Sequence, residues 1–322
     1  MNCELATPVL WVCLVLYFAW IVLDNMDGKQ ARRLNCSSPL GLIFDHQVDA
    51  LNTWMTTTLI ATSMLFGDSP TTIYMWIVSS IPFFFATWEE YYLGSMDFPC
   101  INGPNEGCMM IGVFMGMRAY IGVGYFIQPS AWPEYQVRDV ILAGFCLASV
   151  LNGLWNVYRV ATKSGKGWEA GENTLAFWYF QGTLFVLYAV SPTQVMWTHT
   201  RWVMMCIGIL FAKEMAALQL AHVTSETYRP LGIVNYCLLT SLILNTITNY
   251  LGYVTIRVGV VEEGQFVAIL TLVAVGAYAH MAYYVAVEMS RELKIPIFGV
   301  PRASDTITIT NSLEKEVDKV GF

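Results

Sequence analysis

DNMDGKQARRLNCSSPLGLIFDHQVD, residues 24–49, is the stretch from which the rest of the chain is read. It holds four aspartates in two pairs, Asp24 with Asp27 and Asp45 with Asp49. Spacings of three and four residues put each pair on one face of a helix. Ser38 reads as an N-cap and Pro39 as the first helical position. One helix is therefore expected to end near Arg33 and a second to start at Pro39, each presenting its pair to the same gap. Carboxylates crowded together repel and cannot all stay ionised unless cations sit between them. Hard oxygen ligands without a His or Cys cluster suit Mg2+ or Mn2+. Two such ions would neutralise the site, grip a pyrophosphate and support an in-line displacement. Gly28 lets backbone or ligand approach closely, Ala31 keeps that face narrow, and Arg32 offers a fork to phosphate oxygens. The plain alternative is a solvated acidic loop, but acids beside apolar spans are expensive and usually functional.

Composition sets the surroundings of this stretch. The chain has 322 residues, is 56% hydrophobic and 13% charged, and carries a mean hydropathy of +0.50. That excludes an ordinary soluble domain. Apolar runs of roughly 18 to 25 residues match the bilayer-spanning length of a helix. A net charge of -7 without a basic block gives no sign of a nucleic-acid partner. The eight cysteines are scattered without a CxxC pair, so neither a disulfide framework nor a zinc site is implied.

About nine membrane helices are expected, near 8–23, 39–66, 71–88, 107–127, 137–160, 174–190, 202–223, 231–254 and 265–287. The fold class is all-α, a polytopic transmembrane helical bundle, with residues 1–289 as one membrane domain and 290–322 as a polar cytosolic tail. The first run lacks a basic leader region and a small-residue cleavage site, so it reads as a membrane helix rather than a signal peptide. With the Asp24 end in the cytosol, Lys29, Arg32, Arg33, Lys163, Lys166 and Arg291 lie inside, and only Arg138, Arg201 and Arg257 outside. That is the positive-inside pattern. It puts Glu106 and His222 on the side of the aspartates. Intramembrane Lys213 is either functional or the partner of a buried acid such as Glu214. The Lys163–Gly167 loop either touches phosphate or is a solvated basic loop.

The spacing D-x2-D-G-x2-A-R-x8-G-x3-D-x3-D in residues 24–49 resembles the signature of the CDP-alcohol phosphotransferases, integral membrane enzymes of phospholipid synthesis. DGKQARR, SSPLG and FDH resemble the eukaryotic choline/ethanolamine phosphotransferase branch. Looser likenesses are W-E-x-Y-Y at 88–92, N-G-P-x-E-G at 102–107, N-x-x-R-V at 156–160 and A-H-x-T at 221–224. The acids and aromatics near Trp88 either hold a cationic headgroup or form an interfacial aromatic belt. The resemblance implies transfer of phosphocholine or phosphoethanolamine from CDP-choline or CDP-ethanolamine to diacylglycerol, with release of CMP. It implies two Mg2+ or Mn2+ ions on Asp24, Asp27, Asp45 and Asp49, and Gly28, Arg32 and Glu106 meeting the cytidine diphosphate and headgroup. It further implies a homodimer in the endoplasmic reticulum or Golgi membrane, in contact with its lipids, with the active site facing the cytosol.

A base must take the hydroxyl proton of diacylglycerol. An imidazole titrates in the range that suits the task, so His46 is the candidate, with Asp49 beside it as the other catalytic residue. The family commonly has a glutamate at the position of Leu42, one turn before His46, and smaller residues at those of Gln47 and Val48. This chain departs at all three. Rival readings are a relative using inositol or glycerol phosphate as acceptor, a cation-coupled transporter, and an inactive paralogue. In the resembled family a surface helix and another span precede the acidic motif, whereas 23 residues precede Asp24 here. The expectation is that this 322-residue form is weakly active or inactive and that a longer form restores activity.

Overall fold

The computed structural model describes residues 5–95, 107–251, 262–297 and 299. Among them the chain forms helices α1 (Thr7–Arg33), α2 (Pro39–Ser63), α3 (Pro70–Leu93), α4 (Cys108–Ile121), α5 (Gly124–Ile127) and α6 (Val137–Lys163), followed by α7 (Gly167–Glu172), α8 (Leu175–Val190), α9 (Val195–Thr198), α10 (Thr200–Thr224), α11 (Ile233–Tyr250) and α12 (Glu263–Leu293). No strand occurs among the described residues; Pro129 and Gln136 form an isolated antiparallel bridge. Each of the nine expected stretches holds a helix. Four helices, α1, α6, α10 and α12, are long and apolar enough to cross a membrane by length and composition. The all-α membrane class stands; among the described residues these four helices meet the length and hydropathy of a span, and the expected count of nine is not settled by them.

The α1–α2 corner is written locally. Asn35 takes the left-handed conformation at φ 52°, the Cys36 N–H bonds Ala31 O at 3.0 Å and the Asn35 N–H bonds Arg32 O at 3.3 Å. That pairing closes a Schellman motif on the last carbonyls of α1. Ser38 then caps α2, its Oγ accepting from the Gly41 N–H at 3.1 Å, with Pro39 in the first turn.

Several helix limits differ from the expected ones, for one reason. Hydropathy marks where lipid stops, whereas a helix continues until its hydrogen bonds are interrupted. So α3 does not end at Trp88 but carries the Trp88–Tyr92 segment to Leu93, where Gly94 at φ 69° ends it. In the same way α12 continues through Ser290 to Leu293, where a separate polar tail had been expected. The span expected at 107–127 breaks after Ile121, where Gly122 adopts φ 89°.

α10 is the central post, with Met204, Cys206, Ile207, Leu210, Phe211, Ala212, Met215 and Leu218 all buried. It packs on α2, α3 and α12. Gly208 permits this, since a Cβ there would overlap the Trp54 ring of α2. α1 stands at the edge against α4, and its Val12, Val15 and Leu16 are exposed, as suits a lipid-facing helix.

The far end of α2 is held by two arginines. Arg118 Nε donates to Ser63 O at 2.9 Å, and Arg138 Nη1 donates to Met64 O at 2.8 Å and Leu65 O at 2.6 Å. The Arg138 guanidinium also lies 4.7 Å from the centroid of the Phe66 ring. Arg118, buried inside its apolar run, therefore satisfies a terminal carbonyl of another helix.

Candidate functional site

The α1–α2 corner brings Asp24, Asp45 and Asp49 together, each offering a carboxylate oxygen within 4.8 Å of the others. All three are partly buried. Among the described residues no Lys or Arg forms an ion pair with them. Converging anionic oxygens with no protein cation between them fit hard divalent ions such as Mg2+ or Mn2+. Asp27, one turn along α1, stands outside this group of three. It is exposed, its carboxylate accepts from the Gly28 N–H, and its charge still acts on Asp24 and Asp45.

Gly28 and Arg32 lie side by side. A Cβ on Gly28 would sit 3.5 Å from Arg32 Nη1, so the guanidinium folds back over the bare glycine surface. Arg32 is exposed and makes no ion pair among the described residues. An unpaired fork beside a surface without side chain is an arrangement that can accept phosphate oxygens. Glu106 lies outside the described residues. The start of α4 borders the cluster: Tyr17 OH donates to Cys108 O at 3.1 Å, and the Cys108 side chain is within electrostatic reach of Asp24 and Asp49.

His46 sits between the acidic helix and a partner from elsewhere. Its Nδ1 lies 3.0 Å from Leu42 O on its own helix, and its Nε2 lies 3.4 Å from Glu90 Oε2 on α3. Gln219 Nε2 of α10 donates to the same Glu90 oxygen at 3.4 Å, and His222, in the last turn of α10, is within electrostatic reach of Glu90. Gln47, at a position where a smaller residue was expected, is buried at 4% exposure and receives the Tyr278 hydroxyl of α12 at 3.4 Å. Val48 is exposed.

The contact between Glu90 and His46 escaped the sequence reading, which placed Trp88–Tyr92 in a connection. A usable signal was present, since two adjacent acids ending an apolar run call for partners. Glu89 finds Arg159 in a buried ion pair, and Glu90 finds His46. The neighbouring aromatics are tied by packing and hydrogen bonds. Trp88 Nε1 donates to Ala170 O at 3.1 Å, Tyr91 OH donates to Glu226 O at 3.1 Å, and Tyr92 OH accepts from Asn173. Tyr91 meets Tyr92 and Tyr228 edge-on, which makes this a packed latch between α3 and its neighbours.

Lys213 and Glu214 diverge on α10. Glu214 turns to the Tyr228 hydroxyl, the Leu231 N–H at 2.9 Å and Asn235 Nδ2 at 2.8 Å. No ion pair joins Lys213 to Glu214 among the described residues. Lys166 of the basic loop pairs with Glu169 at 3.9 Å, both largely exposed.

An all-helical membrane protein with clustered aspartates at a helix corner defines a class, and comparison with known proteins narrows it. The family model described as CDP-alcohol phosphatidyltransferase matches residues 5–88, which include all four aspartates. The chain is 30% identical over 313 residues to "Choline/ethanolaminephosphotransferase 2" of Arabidopsis thaliana, covering 89% of this chain and 77% of that one. It is 28% identical over 306 residues to "Choline/ethanolaminephosphotransferase 1" of the same plant, with the same coverage. It is 27% identical over 309 residues to "Ethanolaminephosphotransferase 1" of Mus musculus, covering 90% of this chain and 74% of that one. The chain belongs to the CDP-alcohol phosphatidyltransferase family.

Proposed function

We propose that this protein transfers phosphocholine or phosphoethanolamine from its CDP ester to the hydroxyl of diacylglycerol, releasing CMP. The observation that carries the reading is the meeting of Asp24, Asp45 and Asp49 within 4.8 Å at the α1–α2 corner. The printed names of the plant and mouse relatives support the substrate class.

In this reading Asp24, Asp45 and Asp49 hold one or two Mg2+ or Mn2+ ions, with Asp27 joining them from the next turn of α1. Bound there, the ions supply charge stabilisation to a pyrophosphate. Gly28 gives the diphosphate room, and Arg32 binds its oxygens. Glu106 is assigned to the nucleotide or headgroup. His46, with Asp49 one turn away, takes the proton of the diacylglycerol hydroxyl. The freed oxygen bonds to the phosphorus that carries the alcohol, and the bond from that phosphorus to the bridging oxygen of CMP breaks.

The chain is an integral membrane protein. We place its active site on the cytosolic face of the endoplasmic reticulum or Golgi membrane, as a homodimer. The crowding of Lys and Arg on the aspartate side supports that orientation.

The test is purified protein in lipid with diacylglycerol, Mg2+ or Mn2+, and each labelled CDP-alcohol. Labelled phospholipid and CMP should appear in equal amounts, and chelation should stop the reaction reversibly. Turnover that persists in excess chelator would reject the metal assignment. Product formed only with inositol or glycerol phosphate as acceptor would reject the substrate assignment.

A further inference from the structure

Glu90 carries a charge that no Lys or Arg balances among the described residues. Its Oε2 is engaged, facing His46 Nε2 and Gln219 Nε2, each at 3.4 Å. Its Oε1 receives no hydrogen bond among the described residues. The side chain is 13% exposed, so water screens an arriving cation only weakly.

Beside it stands a second group without a partner. A carboxylate can only accept, so the Gln219 carboxamide turns its Nε2 to Glu90. Gln219 Oε1 is then left without a donor, on a side chain of α10 that is fully buried. A buried acceptor costs free energy until a hydrogen reaches it. The terminal torsion of a glutamine is soft, so a small rotation brings that oxygen to a donor at Glu90.

A quaternary ammonium is held differently, by open aromatic faces. The aromatics beside Glu90 are turned on one another instead. Trp88 meets Tyr92, Tyr92 meets Tyr91 and Tyr91 meets Tyr228, each pair edge to face, and Trp88 and Tyr228 are buried. The Tyr91 and Tyr92 hydroxyls are bonded to Glu226 O and Asn173. The position suits the headgroup end of a substrate. His46 lies between Asp45 and Asp49 in α2 and touches Glu90, so one side chain separates Glu90 from the aspartates. In both headgroups two carbons separate the phosphate oxygen from the nitrogen, an arm that spans such a width.

We propose that Glu90 and Gln219 select the headgroup, favouring a primary ammonium over a trimethylammonium, so that the protein prefers the ethanolamine ester to the choline ester. The inference rests on the transferase reading given above. A primary ammonium brings three N–H donors, enough for the Glu90 carboxylate and the Gln219 amide oxygen together. A choline nitrogen keeps the attraction of its charge but brings no donor, and leaves Gln219 Oε1 unpaired.

The experiment is turnover by the purified protein in lipid, with diacylglycerol and Mg2+, on CDP-ethanolamine, its N-methyl and N,N-dimethyl analogues, and CDP-choline. Over that series kcat/KM should fall by about 10- to 100-fold, the effect of leaving a buried acceptor unpaired. The fall should be steepest over the last two methyls, where fewer than two N–H donors remain. This arm needs no mutation and decides alone if a variant does not fold. Gln219→Met, of similar length and without an acceptor, should lower kcat/KM for the ethanolamine ester by about 10-fold and leave the choline ester unchanged, with CMP binding intact. Glu90→Gln should lower both esters. Equal kcat/KM for the two ends of the series, or a preference for CDP-choline, would overturn the inference and leave the transferase reading in place. So would equal losses for both esters in Gln219→Met, or a Glu90→Gln protein that spares both. Turnover of neither ester by the unaltered protein removes the transferase reading, and this inference with it.

Discussion

Two corners of this molecule hold carboxyl groups out of full contact with water, one of them a single glutamate and the other a trio of aspartates, and they treat them in opposite ways. At the α10–α11 corner Glu214 is 1% exposed, and its two oxygens receive a tyrosine hydroxyl, a backbone N–H and an asparagine amide. At the α1–α2 corner three aspartates converge with no Lys or Arg paired to them among the described residues. A buried carboxylate whose two oxygens are both hydrogen-bonded is part of the architecture. A cluster left without compensation carries a standing electrostatic cost, and that cost is relieved when a ligand of opposite charge arrives. In the proposed reading, that difference separates the structural acid from the metal-holding ones.

The sharpest way to break that distinction is Asp45→Ala or Asp49→Ala. Each should lower turnover by about 10^3-fold or more, since metal stabilisation is worth several kcal/mol. Each should leave the melting temperature in detergent unchanged or raised, because a like-charge repulsion is removed. A folded state lost along with activity would put these aspartates in the structural class. Glu89→Ala should do the reverse. It breaks the buried ion pair with Arg159, a loss of about 3–5 kcal/mol that should show as a large fall in melting temperature. Glu214→Ala should cost about 2–3 kcal/mol by leaving buried donors without an acceptor, with CDP-alcohol affinity intact in the protein that remains folded. If CDP-alcohol binding weakens while the melt is unaffected, Glu214 belongs with the functional acids. The smallest effect is expected from Ser38→Ala, about 1 kcal/mol for a lost N-cap. Because α2 begins there, the stability change should come with a measurable weakening of metal-dependent activity.

The sequence was most legible where the controlling contacts are local. The end of α1 at Arg33, the cap at Ser38 and the start at Pro39 all lie within a few residues of the groups that set them. The two pairs of aspartates followed from helical spacing alone. It was less legible at Trp88–Tyr92, where the fall in hydropathy looked like the end of a helix while the backbone carried on to Gly94. Asp27 shows a finer limit. Spacing places it on the face of Asp24, yet the helix turns its carboxylate outward, and only the three other aspartates meet.

By itself the sequence determined a helical membrane protein, the acidic corner and the chemistry suited to it, because i to i+4 spacing, caps and apolar length are properties of short segments. Only the tertiary structure decided that Glu90 rather than any residue of α2 faces His46, that Glu89 belongs to Arg159, and that Arg118 and Arg138 close the far end of α2. Those pairs are separated by tens of residues along the chain. Their partners are chosen by the rotation and depth at which whole helices pack, and short-range spacing carries no information about either.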